Sequence, residues 1–308
     1  MLLAALALSV AILSAPPLGA GECVVVAPID GAPMIAGGDE CSRRTLPAST
    51  FKVPHALIAL QTQVVTDKTV VKWDGTKRDY EVWNRDQTLE SAIRMSAVWV
   101  FQQFATAIGR ERELSSLKAF QYGSASFEHE VTDFWLNGDL QISPLEQVAF
   151  LRRMFTYQLP VERRHVDTVK AAMTMPRGNV LSAAGTFDFP LQWPADTVVR
   201  VKTGNGSVKG QRASWLVGEI ETGGRQYVFA SRATGATLVN NAGAALALRV
   251  LNGIDPTALQ AAAARTHGLV ELWSQVSPRS ASTRRTRTRV REDSAGNRRS
   301  RWFTRATR

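Results

Sequence analysis

The chain has 308 residues, 44% of them apolar and 21% charged, with 22 Gly and 13 Pro. That apolar fraction excludes a wholly disordered protein, and irregular glycine spacing excludes a collagen-like one. The net charge of +10 suggests a polyanion partner until it is located: residues 278–308 hold 11 Arg against Glu292 and Asp293, which leaves 26 basic and 25 acidic groups elsewhere. The body is therefore near-neutral with a basic tail, and no specific nucleic-acid partner is expected from it.

The first residues, MLLAALALSVAILSAPPLGAGE, carry an apolar run (Leu2–Ser14) that is short for a bilayer span. Small residues follow it. This is the build of a secretory signal peptide over residues 1–20, cut near Ala20 or Gly21. No basic residue precedes the run, so a misplaced start or a membrane anchor are the alternatives. No other run is long and apolar enough to span a membrane, so none is expected after cleavage. The cysteines, Cys23 and Cys41, flank a strand–turn–strand pattern around Asp30-Gly31 that returns the chain towards Cys23. In an oxidising compartment they could pair; two reduced core cysteines are the equal alternative. Neither these nor His55, His129, His165 and His267 show metal-ligand spacing, and no metal is expected.

A turn-rich link then reaches a helix beginning near Ser49, where Pro47 and Ser49-Thr50 are helix-start chemistry. Residues 88–108 read as helix with a break near Ser96 and a stop at Gly109. Residues 143–157 form the clearest amphipathic helix, with Leu145, Val148, Ala149, Leu151 and Met154 on one face and Ser143-Pro144 with Glu146 as a capping box. Another helix spans 161–173. The period then changes: 198–204, 214–222 and 225–232 are strand-like, the last two joined at Gly223-Gly224, and 242–253 is a closing helix. Strands, a helical block, strands and a helix imply an α+β fold, with an antiparallel sheet from both chain ends and an all-helical subdomain of about 62–180 inserted. The folded domain is placed at 21–277. The Ser/Thr/Arg-rich residues 278–308 are expected to be a disordered tail.

Three short motifs carry chemistry. In Ser49-Thr50-Phe51-Lys52, positions i and i+3 share a helix face, so the hydroxyl and the amine point together at a helix N-terminus. A serine is a weak nucleophile unless a base takes its proton, and a lysine serves only if desolvation removes its charge. Ser96 lies between two helical runs. Lys202-Thr203-Gly204 ends a strand; the lysine offers a cation, the threonine a hydroxyl for a carboxylate, and the glycine room for a substrate at the strand edge. In this order on these elements they match the active-site serine set of penicillin-binding proteins and β-lactamases.

In detail the sequence resembles the class D, or oxacillinase-type, serine β-lactamases. PASTFKVPHALIAL (47–60), SAVW (96–99), FQYG (120–123), FWLNGDLQISPLEQVAFL (134–151), KTGNG (202–206) and SWLVGEIE (214–221) carry the resemblance, which covers about residues 22–254. It implies that Ser49 attacks the β-lactam carbonyl and that Lys52 bears a carbamate formed with carbon dioxide or bicarbonate, no other cofactor being required. Phe51, Val98, Trp135 and Leu136 would line the carbamate pocket, and Ser96 would relay a proton to the β-lactam nitrogen. The amides of Ser49 and Asn205 would form an oxyanion hole worth about 3 kcal/mol per donor. Tyr122, Lys202, Thr203, Gly204 and Asn205 would contact substrate. Two positions depart from the family pattern: Ser124 stands for its usual Asn, and the carboxylate-gripping Arg after the last strand is missing, with Asn240 and Asn241 near its place and Arg232 as a stand-in. The implied partner is a β-lactam in the periplasm or outside the cell. A β-lactam sensor that deacylates slowly, a polyanion binder acting through the tail and a silent relative are the competing readings. Nothing in the sequence decides the oligomeric state.

Overall fold

The computed structural model describes residues 18–257 and Leu259. Most of the predicted signal peptide and the whole Arg-rich tail, with His267, lie outside the described residues. The N-terminal strands β1 (Glu22–Pro28) and β2 (Met34–Ala36) form the expected hairpin. Cys23 and Cys41 are joined as a disulfide with a Cα–Cα distance of 5.3 Å and a sequence separation of 18. A loop of this size contributes about 3 kcal/mol of stability.

A 3-10 turn over Ala48–Phe51 runs into helix α1 (Lys52–Gln61). Then follow β3 (Val70–Val71) and β4 (Gln87–Thr88), which pair with each other, and helices α2 (Leu89–Arg94), α3 (Val98–Ile108) and α4 (Arg110–Ala119). Helix α4 has no counterpart in the sequence reading. Only Glu113 and Leu117 are buried on it, so it shows no apolar stripe. Helix α5 (Pro144–Phe155) has the expected capping box between Ser143 and Glu146. Its buried face differs from the expected one: Gln147, Phe150 and Phe155 are buried with Val148, Leu151 and Met154, while Leu145 and Ala149 are half-buried. Helix α6 (Arg163–Met173) precedes a small hairpin, β5 (Asn179–Ser182) with β6 (Gly185–Asp188), which the sequence reading also missed.

Strands β7 (Val198–Val208), β8 (Gln211–Thr222) and β9 (Arg225–Gly235) complete the main sheet, and helix α7 (Ala242–Leu251) closes the fold. The order is β2-β1-β9-β8-β7, every pair antiparallel, so the sheet is built from both chain ends with the helical block between them. Gly223 and Gly224 both take positive φ in the β8–β9 turn, the conformation that a tight hairpin requires. β1 is buried on both faces. Cys23, Val25 and Ala27 join the core under the helical block, and Val24 and Val26 join the core beneath α7. This explains its uninterrupted apolar run, since only half-buried strands need alternate. No helix among the described residues is long and apolar enough to cross a membrane.

Candidate active site

Three elements converge on one cavity: the 3-10 turn at the head of α1, the break between α2 and α3, and strand β7. Ser49, Ser96, Val98, Leu136, Thr203 and Asn205 all line it. Ser49 is half-buried and reachable, while Lys52 directly behind it is fully buried. The Lys52 Nζ donates to the Ser49 Oγ at 2.9 Å. Desolvation, and secondly the nearby positive charge of Lys202, hold the Lys52 amine well below the usual lysine range. An amine so placed can accept the proton of the hydroxyl it touches.

Ser96 adopts a left-handed backbone conformation with φ 57, uncommon for a residue with a side chain. This break ends α2 and brings the hydroxyl to the cavity. Lys202 Nζ, also buried, donates to Ser96 Oγ at 3.1 Å and to Thr203 O at 2.9 Å. Burial pushes the Lys202 ammonium down to about 7. Lys202 Nζ is thereby linked by a hydrogen bond to a hydroxyl that lines the cavity.

The titration of Lys202 is linked to folding. An unfolded lysine holds its proton up to its ordinary value of 10.5, whereas the folded one releases it near 7. Between those limits the unfolded chain binds more protons, so stability rises with pH across that window. Replacing Lys202 by Met is expected to remove up to about 1.4 kcal/mol of that rise per pH unit. Urea unfolding of both proteins at about pH 7.5 and about pH 9 checks this.

An aromatic wall surrounds the root of Lys52. Phe51 stacks on Trp135 with centroids 5.6 Å apart, and His55, one helical turn along, lies 5.3 Å from the same indole. Lys52 Nζ itself sits 5.4 Å from the Phe101 ring centroid. The Trp135 Nε1 is buried and has no hydrogen-bond partner among the described residues. A buried donor left unpaired is costly, and it marks a place where an acceptor belongs. Behind this wall His55 Nε2 lies 2.7 Å from Glu113 Oε1, both side chains fully buried. His55 is thus a packing residue, as is the buried His165, while His129 is exposed.

Three expected substrate contacts are placed elsewhere. Tyr122 is fully buried, its hydroxyl accepting from Gln147 Nε2 at 3.1 Å, and burial raises its phenol. It packs on Phe51 at 5.8 Å between centroids and supports the Ser49 turn from behind. Gly204 faces the same turn: a Cβ there would lie 2.9 Å from Thr50 Cγ2 and 3.0 Å from Pro47 O. The glycine makes room for the serine-bearing segment, not for a ligand. Arg232 is fully buried, with Nη2 held by Glu40 O and Glu40 Oε2 at 2.8 Å and Nη1 by Arg43 O. Strand alternation sends it to the face that carries Trp215 and Cys23, where it ties down the segment after the disulfide. Ser124 exchanges hydrogen bonds with the Gln141 backbone, a loop-packing role.

Three lining groups are not named as site residues by the sequence: Tyr80, Trp83 and the Ser182–Ala184 tip of the β5–β6 hairpin. Trp83 is fixed to the Ser96 break by its Nε1, which donates to Met95 O at 2.8 Å. No short motif announces such walls. Asn240 also lines the cavity, as its place after the last strand suggests.

The penicillin-binding-protein transpeptidase domain matches residues 27–254. The class D β-lactamase YbXI from Nostoc is 30% identical in a solved structure, with a TM-score of 0.66 over 78% of this chain and 93% of that one. The chain belongs to the class D β-lactamase branch of the transpeptidase family. β-Lactamase OXA-48 of Klebsiella pneumoniae is 40% identical over 186 residues, which are 60% of this chain and 64% of that enzyme, so the match stops short of two thirds of the curated relative. The C-terminal domain of the Bacillus licheniformis BlaR penicillin receptor is also similar, 31% identical with a TM-score of 0.64 over 74% of this chain and 87% of that one. A class D β-lactamase and a penicillin-receptor domain are thus both similar in structure to the scaffold that holds Ser49, Lys52, Ser96 and Lys202 here.

Proposed function

We propose that this chain hydrolyses β-lactams through an acyl-enzyme on Ser49. The observation that carries the reading is the 2.9 Å contact between Ser49 Oγ and a fully buried Lys52 amine whose positive charge burial disfavours. In this reading Ser49 Oγ adds to the lactam carbonyl as its proton leaves towards position 52. The amide C–N bond breaks, and Ser96 hands a proton to the departing nitrogen, replenished from Lys202. The backbone amides of Ser49 and Asn205 receive the oxyanion. Water then adds to the ester carbonyl, the bond to Ser49 breaks, and the hydroxyl regains its proton.

The residues around Lys52 fit a carbamate on its nitrogen. Only an uncharged amine adds carbon dioxide, and the unpartnered Trp135 Nε1 is a donor suited to the new anion. The carbamate would supply a fixed anionic base beside the hydroxyl. Export to the periplasm or beyond fits the leader-like residues 1–20 and the Cys23–Cys41 disulfide. A sensor that is acylated without release is the second reading, favoured by the similarity to the BlaR receptor domain.

Nitrocefin kinetics separate the two. The hydrolase reading predicts continuous turnover that falls in carbon-dioxide-depleted buffer and recovers with bicarbonate. A burst of one equivalent per chain that never resumes, with or without bicarbonate, would reject it in favour of the sensor.

A further inference from the structure

A β-lactam carries a carboxylate, and with Arg232 walled off that anion needs another permanent cation. Lys202 is a poor sole anchor. Its nitrogen is committed to Ser96 and Thr203, and burial lets it shed its proton near neutrality. On β8, Arg212 is half-buried and its Nη2 donates to Asn240 Oδ1 at 2.9 Å. Asn240 lines the cavity beside Thr203 and Asn205. Among the described residues this is the only hydrogen bond of the Arg212 side chain, and no carboxylate pairs with it. A guanidinium has five donors in a planar fork, so most remain open to an incoming carboxylate.

The surroundings hold the arginine in place. In the β7–β8 register Arg212 stands opposite Ser207 and Ser214 opposite Asn205, so all four side chains share one sheet face. Ser214 Oγ donates to Asn205 Oδ1 at 2.8 Å and accepts from Gly243 N at 3.0 Å. Gly243 lies so close to β8 that a Cβ there would meet Ser214 O at 2.6 Å. The turn before it, with Asn241 at φ 66, is thereby fastened to the strand and carries Asn240 to the cavity rim.

We propose that Arg212, oriented by Asn240, receives the substrate carboxylate at the Thr203–Asn205 end of the cavity. This rests on the β-lactam reading of the site and adds the residue that sets its preference for anionic substrates. The test compares a penicillin with its methyl ester, in which the carboxylate is masked. Arg212→Ala is expected to lower kcat/KM for the free acid about tenfold to a hundredfold and to leave the ester unchanged. Arg212→Lys keeps the charge but not the fork, and should recover part of the loss. Asn240→Asp places a carboxylate against the guanidinium and should depress the free acid more than the ester. Equal losses for acid and ester, or no loss for either, would overturn the role of Arg212 while the β-lactam reading stands. A wild-type chain that reacts with neither compound would remove that reading and this one together.

Discussion

Lys52→Met is expected to lower penicillin turnover by about a thousandfold and, in bicarbonate-free buffer, to raise the stability of the folded chain. The two effects have one cause. Met has nearly the same length and volume, so the packing against Phe101 is retained. What is lost is a nitrogen 2.9 Å from the Ser49 hydroxyl, and with it the group able to take the proton. What is gained is relief from burying a group that prefers to be charged: its folded value lies well below 10.5, so across the interval between the two values the unfolded chain holds the proton more tightly than the folded one. Steady-state rates with a penicillin and urea unfolding of both proteins check the pair of outcomes. A variant that loses activity because it unfolds would contradict the explanation.

Glu113→Ala is expected to destabilise the chain by about 3–5 kcal/mol, because it strands the partner of a fully buried pair. For a domain of this size that corresponds to a fall of about 10 °C in Tm. The double variant His55→Leu with Glu113→Leu should recover most of the loss, since removing both polar groups leaves nothing unpaired. Thermal unfolding of the three proteins is the measurement. Turnover should fall in Glu113→Ala as well. The His55 ring packs on Phe51 and Trp135, the wall that keeps Lys52 dry, with centroids 5.0 and 5.3 Å away.

The sequence disclosed the parts of this fold whose physics is local. The capping box at Ser143 and Glu146, the break at Ser96, the Gly223-Gly224 hairpin and the strand-to-helix changes of period were all readable, and the sheet topology follows from their order. The pairing of Ser49 with Lys52 followed from helical spacing alone. The remainder depends on approach between distant segments. Gly204 reads as room for a ligand, but the room belongs to Thr50 and Pro47. Arg232 has the right residue type near the right place, yet the parity of β9 sends it to the far end of a disulfide-bound segment. Tyr122 belongs to a motif next to the site but fills the space behind it. Helix α4 lacks an apolar signature because one of its two buried groups is the polar Glu113, whose partner lies 58 positions earlier, at His55.

The central claim is that burial of Lys52 makes Ser49 a nucleophile that releases what it captures. The mass of the intact chain, followed in time after mixing with a penicillin and mapped by proteolysis, addresses it directly. The account predicts a gain equal to the whole penicillin, confined to the peptide that contains Ser49, which decays to the unmodified mass as ring-opened product accumulates. A chain that stays unmodified beside intact penicillin, or one labelled at any other residue, would contradict it.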